Sequence, residues 1–284
     1  MGKMKVVAVI NEKGGVGKTT TVRNMAYVMA TKFGKRVLVC DLDESGGLSD
    51  SFGLKPPEDE GKPAGIAKLL IDCPDPHEVI LQTAYEGIDI IPSNYSVSMA
   101  KSFLVMQASK PGVNMRFYKA ITAIEDEYDY CIVDCAPDVN LVLSNILTAT
   151  HEVIIPAQID IDSMKRAVAT INTLDEVREY GAKNPLYLRG VLFTMVGNTR
   201  IERQGLTGDY VGAFPIFDTY IRNSAADIRG SRNEALMCDE FKKGCNVALD
   251  YDNFVAEFLG LPRMHQKGAS RSAFIQKEMN RKSN

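Results

Sequence analysis

The sequence predicts an α/β fold: a single domain built on a mostly parallel sheet with helices on both faces. Three observations predict it. Short apolar runs of strand length alternate with stretches of helical periodicity. A glycine-rich loop joins the first apolar run to the first helical stretch. Acids stand at or just past the ends of apolar runs, at Asp41, Asp43 and Asp134.

The elements follow in order. Residues 6–10, Val-Val-Ala-Val-Ile, are continuously apolar, as a parallel strand buried on both faces requires. After the loop, Val22, Met25, Ala26 and Met29 share one side of a helix. Residues 36–41 form a second buried strand, and 54–65, with Pro56, Pro57 and Pro63 around the acids Glu58 to Glu60, read as a surface loop. A short helix is expected at 66–71 and a short strand running into a turn at 87–94. Helical spacing from 95 to 126 breaks at Pro111-Gly112. Strands at 130–134, 153–156 and 188–195 alternate with helices at 141–149 and 162–180. One domain, carrying the glycine-rich loop, is expected over residues 1–262, and a basic C-terminal tail or helix over 263–284.

Composition narrows the function. With 45% apolar and 24% charged residues the chain has material for a sizeable core. A net charge of −3 excludes a protein that is basic all over, so nucleic-acid binding requires a local patch. Basic residues do gather late, at Arg222, Arg229, Arg232, Lys242 and Lys243, and again from Arg263 to Lys282. The sequence shows neither a transmembrane run nor a signal peptide. Its six cysteines form no CxxC pair or zinc spacing and read as reduced thiols in a cytoplasmic protein.

The chemistry centres on residues 11–20, Asn-Glu-Lys-Gly-Gly-Val-Gly-Lys-Thr-Thr. Between a strand and a helix N-terminus, such a loop turns backbone N–H groups toward an anion, aided by the helix dipole. Gly14, Gly15 and Gly17 allow phosphate oxygens close to the backbone, with Val16 between them and Thr20 opening the helix. Lys18 is placed to neutralise the β- and γ-phosphates and the Thr19 hydroxyl to bind Mg²⁺, so ATP and Mg²⁺ are the expected cofactors. Glu12 stands where the strict P-loop pattern has glycine, and an additional lysine, Lys13, begins the loop. Asp134, ending the run Cys131-Ile132-Val133, has the form of a magnesium-holding acid.

These residues resemble the ParA/MinD family of deviant Walker ATPases, whose signature is Lys-Gly-Gly followed three residues on by Lys-Ser/Thr. The likeness extends through residues 87–94, 128–137, 152–158 and 190–195 to the neighbourhood of Tyr220. It implies that Lys13 reaches the ATP of a second subunit across a twofold dimer, in the manner of an arginine finger. It implies that Asp41 belongs to the outer shell of the metal and that Asp43 orients or deprotonates the attacking water. In this chain Glu44-Ser45 replaces the Pro-Gln that usually follows. Asp160 stands where relatives carry a glutamate near the partner's nucleotide, and Phe214-Pro215 resembles the segment bordering the adenine.

The resemblance implies a ParA-type partition ATPase, slow until a partner stimulates it. It would form an ATP-dependent homodimer on nonspecific DNA of the nucleoid and leave when a ParB-like centromere-binding protein stimulates hydrolysis. A membrane is not an expected partner. A MinD-like membrane-cycling ATPase is the alternative; it requires a C-terminal amphipathic helix, for which only Ala273, Phe274, Ile275 and Met279 offer an apolar face. A third reading, a carrier or reductase for iron–sulfur chemistry on the same fold, requires paired cysteine ligands, and Cys131 and Cys135 bracket Asp134 instead.

Overall fold

A computed structural model describes residues 3–56, 61–207 and 214–282. Pro57 and the acids Glu58 to Glu60 of the expected surface loop lie outside the described residues. In chain order the first half comprises β1 (Lys5–Val9), α1 (Lys18–Phe33), β2 (Val37–Asp41), α2 (Gly47–Ser51), α3 (Gly65–Asp72), β3 (Leu81–Gln82), β4 (Ile88–Ile91), α4 (Val97–Met106), α5 (Arg116–Ala123) and β5 (Tyr130–Asp134). The second half comprises α6 (Leu141–Ala149), β6 (Glu152–Ala157), α7 (Ile161–Tyr180), β7 (Tyr187–Phe193), α8 (Arg200–Thr207), α9 (Ala225–Asn233), α10 (Cys238–Phe241), α11 (Asn246–Phe258) and α12 (Arg271–Lys282).

Among the described residues the strands form one seven-stranded sheet in the order β3-β4-β2-β5-β1-β6-β7. Every neighbouring pair is parallel except β3 with β4. The antiparallel edge β3 was not expected from the sequence, because two residues are too few to show a period. The short helix α2 was also absent from that reading.

Strand periodicity sorts the core into two layers. Val6, Ala8, Leu38, Cys40, Cys131 and Val133 join one buried cluster, while Val7, Val9, Val37, Val39 and Ile132 join the other. The second cluster also takes Val22, Met25, Ala26 and Met29 of α1, so α1 covers that face. By the same alternation Asp41 and Asp134 end their strands on the α1 side. They are register partners on adjacent strands. The sheet thus delivers two carboxylates, side by side, to the start of α1.

Gly190 shows why a glycine sits inside β7. With φ +156, a Cβ there would meet the Phe217 ring and the Pro215 carbonyl at 3.2 Å. The start of α12 is fixed by Asp218, whose Oδ1 accepts the Ser272 N–H at 2.7 Å and whose Oδ2 accepts the Ser270 hydroxyl at 2.7 Å. Phe274 of this helix packs against the core. Among the described residues no helix is long and apolar enough to cross a membrane.

Candidate nucleotide site

The loop between β1 and α1 turns through positive φ at Gly15 (+74) and Gly17 (+90), where an L side chain would be strained. A Cβ added to Gly14 or Gly15 would meet nothing within 4 Å, so this backbone borders open space. Its outline is held from behind by residues the sequence reading did not single out. Buried Asn11 accepts the Lys13 N–H through Oδ1 at 2.8 Å and donates Nδ2 to the Pro156 carbonyl at 2.8 Å. Thr194, just past β7, donates its hydroxyl to the Val16 carbonyl at 2.7 Å. A polar residue opening a glycine-rich turn is a signal for the first; nothing local marks the second.

Lys18 is buried and folds back on the loop, donating to the carbonyls of Asn11 (3.1 Å) and Lys13 (3.2 Å). Burial pushes its ammonium below the usual lysine range, against the pull of the Asp134 charge. Thr19 donates its hydroxyl to Asp134 Oδ2 at 2.6 Å. The other oxygen, Oδ1, is buried and has no hydrogen-bond partner. Burial raises the Asp134 carboxyl to about 8, with the neighbouring Asp41 charge adding to it and the Thr19 bond and Lys18 opposing it. A buried carboxyl group short of partners, next to a hydroxyl, offers the oxygen ligands a hard divalent cation takes, while the Lys18 ammonium beside the loop suits phosphate oxygens. The open glycine turn fits a polyphosphate beside it.

Asp41 is fully buried and better satisfied. Its Oδ2 accepts the Ser49 N–H (2.9 Å) and hydroxyl (2.7 Å), and its Oδ1 accepts the Asp43 N–H at 3.1 Å. Burial raises this carboxyl, and the Ser49 and Asp43 bonds oppose the rise. Ser49 in turn accepts the Ser93 N–H at 3.0 Å, and Ser93 donates its hydroxyl to the Asp43 carbonyl. Ser49 and Ser93 therefore clamp the loop carrying Asp43 to β2 and β4. Asp43 is half-buried and accepts the Ser45 N–H at 2.9 Å. Glu44, the departure from the family pattern, faces Lys101 at 3.6 Å, and the same ammonium meets Asp138 at 3.2 Å.

Lys13 lies on the outer side of the loop. Its ammonium meets both oxygens of Asp160 at 3.1 Å and donates to the Ser163 hydroxyl at 2.9 Å. Asp160 caps α7 by accepting the Ser163 N–H at 2.8 Å. Burial pushes its carboxyl up, but the Ser163 and Lys13 bonds outweigh that and hold it below the usual range. Glu12 is tethered to α7 as well, with Arg166 at 3.6 Å. The structure thus brings Lys13, Lys18, Thr19, Asp41, Asp43, Asp134 and Asp160 to one edge of the sheet. Pro215 is placed beside β7, its carbonyl accepting the Val191 N–H at 2.8 Å.

A parallel sheet that delivers a glycine-rich loop, a lysine and two carboxylates to its carboxyl edge defines a nucleotide-binding protein of the P-loop class. Residues 4–187 match the profile of the AAA domain family AAA_31. The chain is 34% identical over 192 residues to the sporulation initiation inhibitor protein Soj of Bacillus subtilis, covering 68% of this chain and 73% of Soj. It is 30% identical over 195 residues to the chromosome partitioning protein ParA of Caulobacter vibrioides, covering 68% and 70%. Among solved structures, cobyrinic acid a,c-diamide synthase from Mycobacterium smegmatis, with a bound ATP analogue and magnesium, superimposes with a TM-score of 0.72 at 27% identity, covering 92% of this chain and 98% of that one. The chain belongs to the AAA domain family and, within it, to the ParA/MinD ATPases.

Proposed function

We propose that the protein is a ParA-type partition ATPase. It binds Mg·ATP at the 11–20 loop, pairs with a second copy across the nucleotide, binds DNA without sequence preference, and leaves it when a ParB-like protein stimulates hydrolysis. The observation that carries the reading is Asp134: buried beside Thr19 and Lys18, with one carboxylate oxygen unpartnered. The kinship with Soj and ParA supports the partition role, and the ATP analogue and magnesium in the related synthase structure support the cofactors.

Thr19 and Asp134 would hold Mg²⁺, with Asp41 behind them, and the metal would supply charge neutralisation for the phosphates. Lys18 exchanges the loop carbonyls for phosphate oxygens, and the backbone of Gly14 to Thr20 encloses them. Asp43, on a loop clamped by Ser93, orients or deprotonates the attacking water. Lys13 leaves Asp160 to serve the neighbour's ATP, so a charge held within one subunit becomes a charge shared between two. The γ-phosphate completes the pairing and its loss undoes it, which links the population of dimers to the nucleotide. Turnover is slow until a partner acts, and the protein resides in the cytoplasm on the nucleoid. Phe274 is partly buried against the core, which leaves α12 less apolar surface to offer a membrane.

Cosedimentation with DNA and with liposomes, in ATP, in ADP and without nucleotide, tests the reading. Binding to DNA with ATP alone, weakening steeply with salt, is expected; binding to liposomes instead would replace it with the MinD-like reading. Lys13→Ala should retain nucleotide and lose ATP-dependent dimers in sedimentation, and dimers that persist would remove Lys13 from the contact between subunits.

A further inference from the structure

On the α1 face of the sheet a cleft opens between α2 and α9. Its outer part, about 260 Å³, is lined by Gly47, Asp50 and Ser51 on one side and by Arg229, Arg232 and Asn233 on the other. A smaller hollow of about 10 Å³ shares Ser51 and Arg232 with it and reaches Thr20, Arg23 and Asn24 of α1. Arginines therefore occur at two depths: Arg229 and Arg232 exposed, Arg23 only 3% exposed.

Among the described residues no carboxylate forms an ion pair with any of the three. Arg23 donates Nη2 to the Leu236 carbonyl at 2.7 Å, but its Nε is buried without a hydrogen-bond partner. Arg229 makes only a long 3.4 Å contact to the Ala225 carbonyl of its own helix. Asp50, the acid on the rim, is engaged by Lys55 at 3.3 Å. Burial disfavours the charge on Arg23 and Arg232 adds repulsion, with Tyr85, Cys238 and Glu240 opposing them in part. A buried guanidinium with an unmade bond and a second guanidinium beside it is stabilised by an anion in the adjoining cleft.

We infer that this cleft binds the phosphate group of a second ligand, separate from the nucleotide in the glycine loop. Guanidinium forks match phosphate oxygens, and Arg229 and Arg232 line the outer cleft together, with Arg232 leading inward toward Arg23. The outer volume admits a phosphate ester or one phosphodiester of a nucleic-acid backbone lying across Arg229 and Arg232. The location gives the site a consequence. One wall, α2, directly follows the loop of Asp43, and the inner end touches the first turns of α1, directly after Lys18. An anion held there ties these two segments together.

The test is calorimetric titration of the full chain, saturated with magnesium and a nonhydrolysable ATP analogue so that the loop's own phosphate positions are filled. Inorganic phosphate and a short random-sequence DNA duplex are the probes. At least one should bind, and its affinity should fall about tenfold or more in Arg232→Ala and in Arg229→Ala, each removing a charge-assisted contact, with affinity for the ATP analogue unchanged. If the duplex binds and excludes phosphate, the ligand is a nucleic-acid backbone; if phosphate binds and the duplex leaves it in place, the ligand is a free phosphate ester. Binding of neither probe, or equal binding by Arg232→Ala, overturns the site. Failure of the ATP analogue itself to bind would instead overturn the ATPase reading, and the same arginine comparison without nucleotide would still decide this one.

Discussion

Asp134 and Asp250 are both buried aspartates, yet they are built in opposite ways. Asp250 is saturated: its oxygens accept the N–H and Nε of Arg222 (3.0 and 2.8 Å), Nη2 of the same arginine (2.8 Å) and the Ala269 N–H (2.7 Å). Asp134 receives one hydroxyl and keeps one oxygen without a partner. The first arrangement spends its carboxylate on the architecture, joining α11 to the segments before α9 and α12. The second leaves an acid under-satisfied at a sheet edge, which folding alone would select against. A buried acid short of hydrogen bonds marks a place for a ligand; a buried acid rich in them marks a joint.

The contrast can be broken at its strong end first. Asp250→Ala leaves Arg222 without its bidentate partner and should lower stability by about 3–5 kcal/mol in urea unfolding. A loss no larger than that of an exposed ion pair would show that the joint is not structural. Next, Lys18→Ala should weaken nucleotide binding about a hundredfold, close to 3 kcal/mol by calorimetry, with little change in the unfolding midpoint. An equal loss of stability would erase the distinction between the two regions.

Titration sharpens the contrast further. The folded-state pKa of Asp134 lies above its unfolded value, so the folded chain holds this proton more tightly. Its contribution to stability is present below about pH 4 and is lost as pH rises toward about 8. Ligand-free protein should therefore melt lower at the alkaline end of that window, and Asp134→Asn should remove part of the slope while abolishing any magnesium dependence of nucleotide affinity. A variant with an unchanged slope would mean that Asp134 is not the group responsible. The smallest effect is expected at Lys101, whose pairs with Glu44 and Asp138 are largely exposed. Lys101→Met should cost less than about 1 kcal/mol in thermal unfolding; a larger loss would place the two loops among the structural joints.

Much of the fold was legible because its signals are local. The apolar runs of β1, β2, β5 and β6 announce central strands, and the glycine loop between β1 and α1 sets the polarity of the site. The two-residue β3 and the one-turn α2 carry too few residues for a period to show. At the site, the residues with side-chain chemistry could be named in advance, but their supports could not. Asn11 reaches Pro156 across 145 positions, Thr194 reaches Val16 across 178, and Ser93 reaches Ser49 across 44. A serine or threonine at such a position looks like any other strand-end hydroxyl until its partner is in view. Arg229 and Arg232 of the cleft looked like part of a dispersed basic cluster for the same reason, and Arg23 had no local signal.

The sequence by itself determined which residues stand at strand ends and in the phosphate-type loop, because alternation, helical period and glycine act over a few neighbouring positions. Only the tertiary structure decided how each charge is satisfied: that Lys13 rests on Asp160, that Asp41 is shielded by Ser49, and that Asp134 and Arg23 keep an atom without a partner. Those outcomes depend on which distant segments the sheet order brings together, and solvation and hydrogen bonding in the interior respond to that neighbourhood alone.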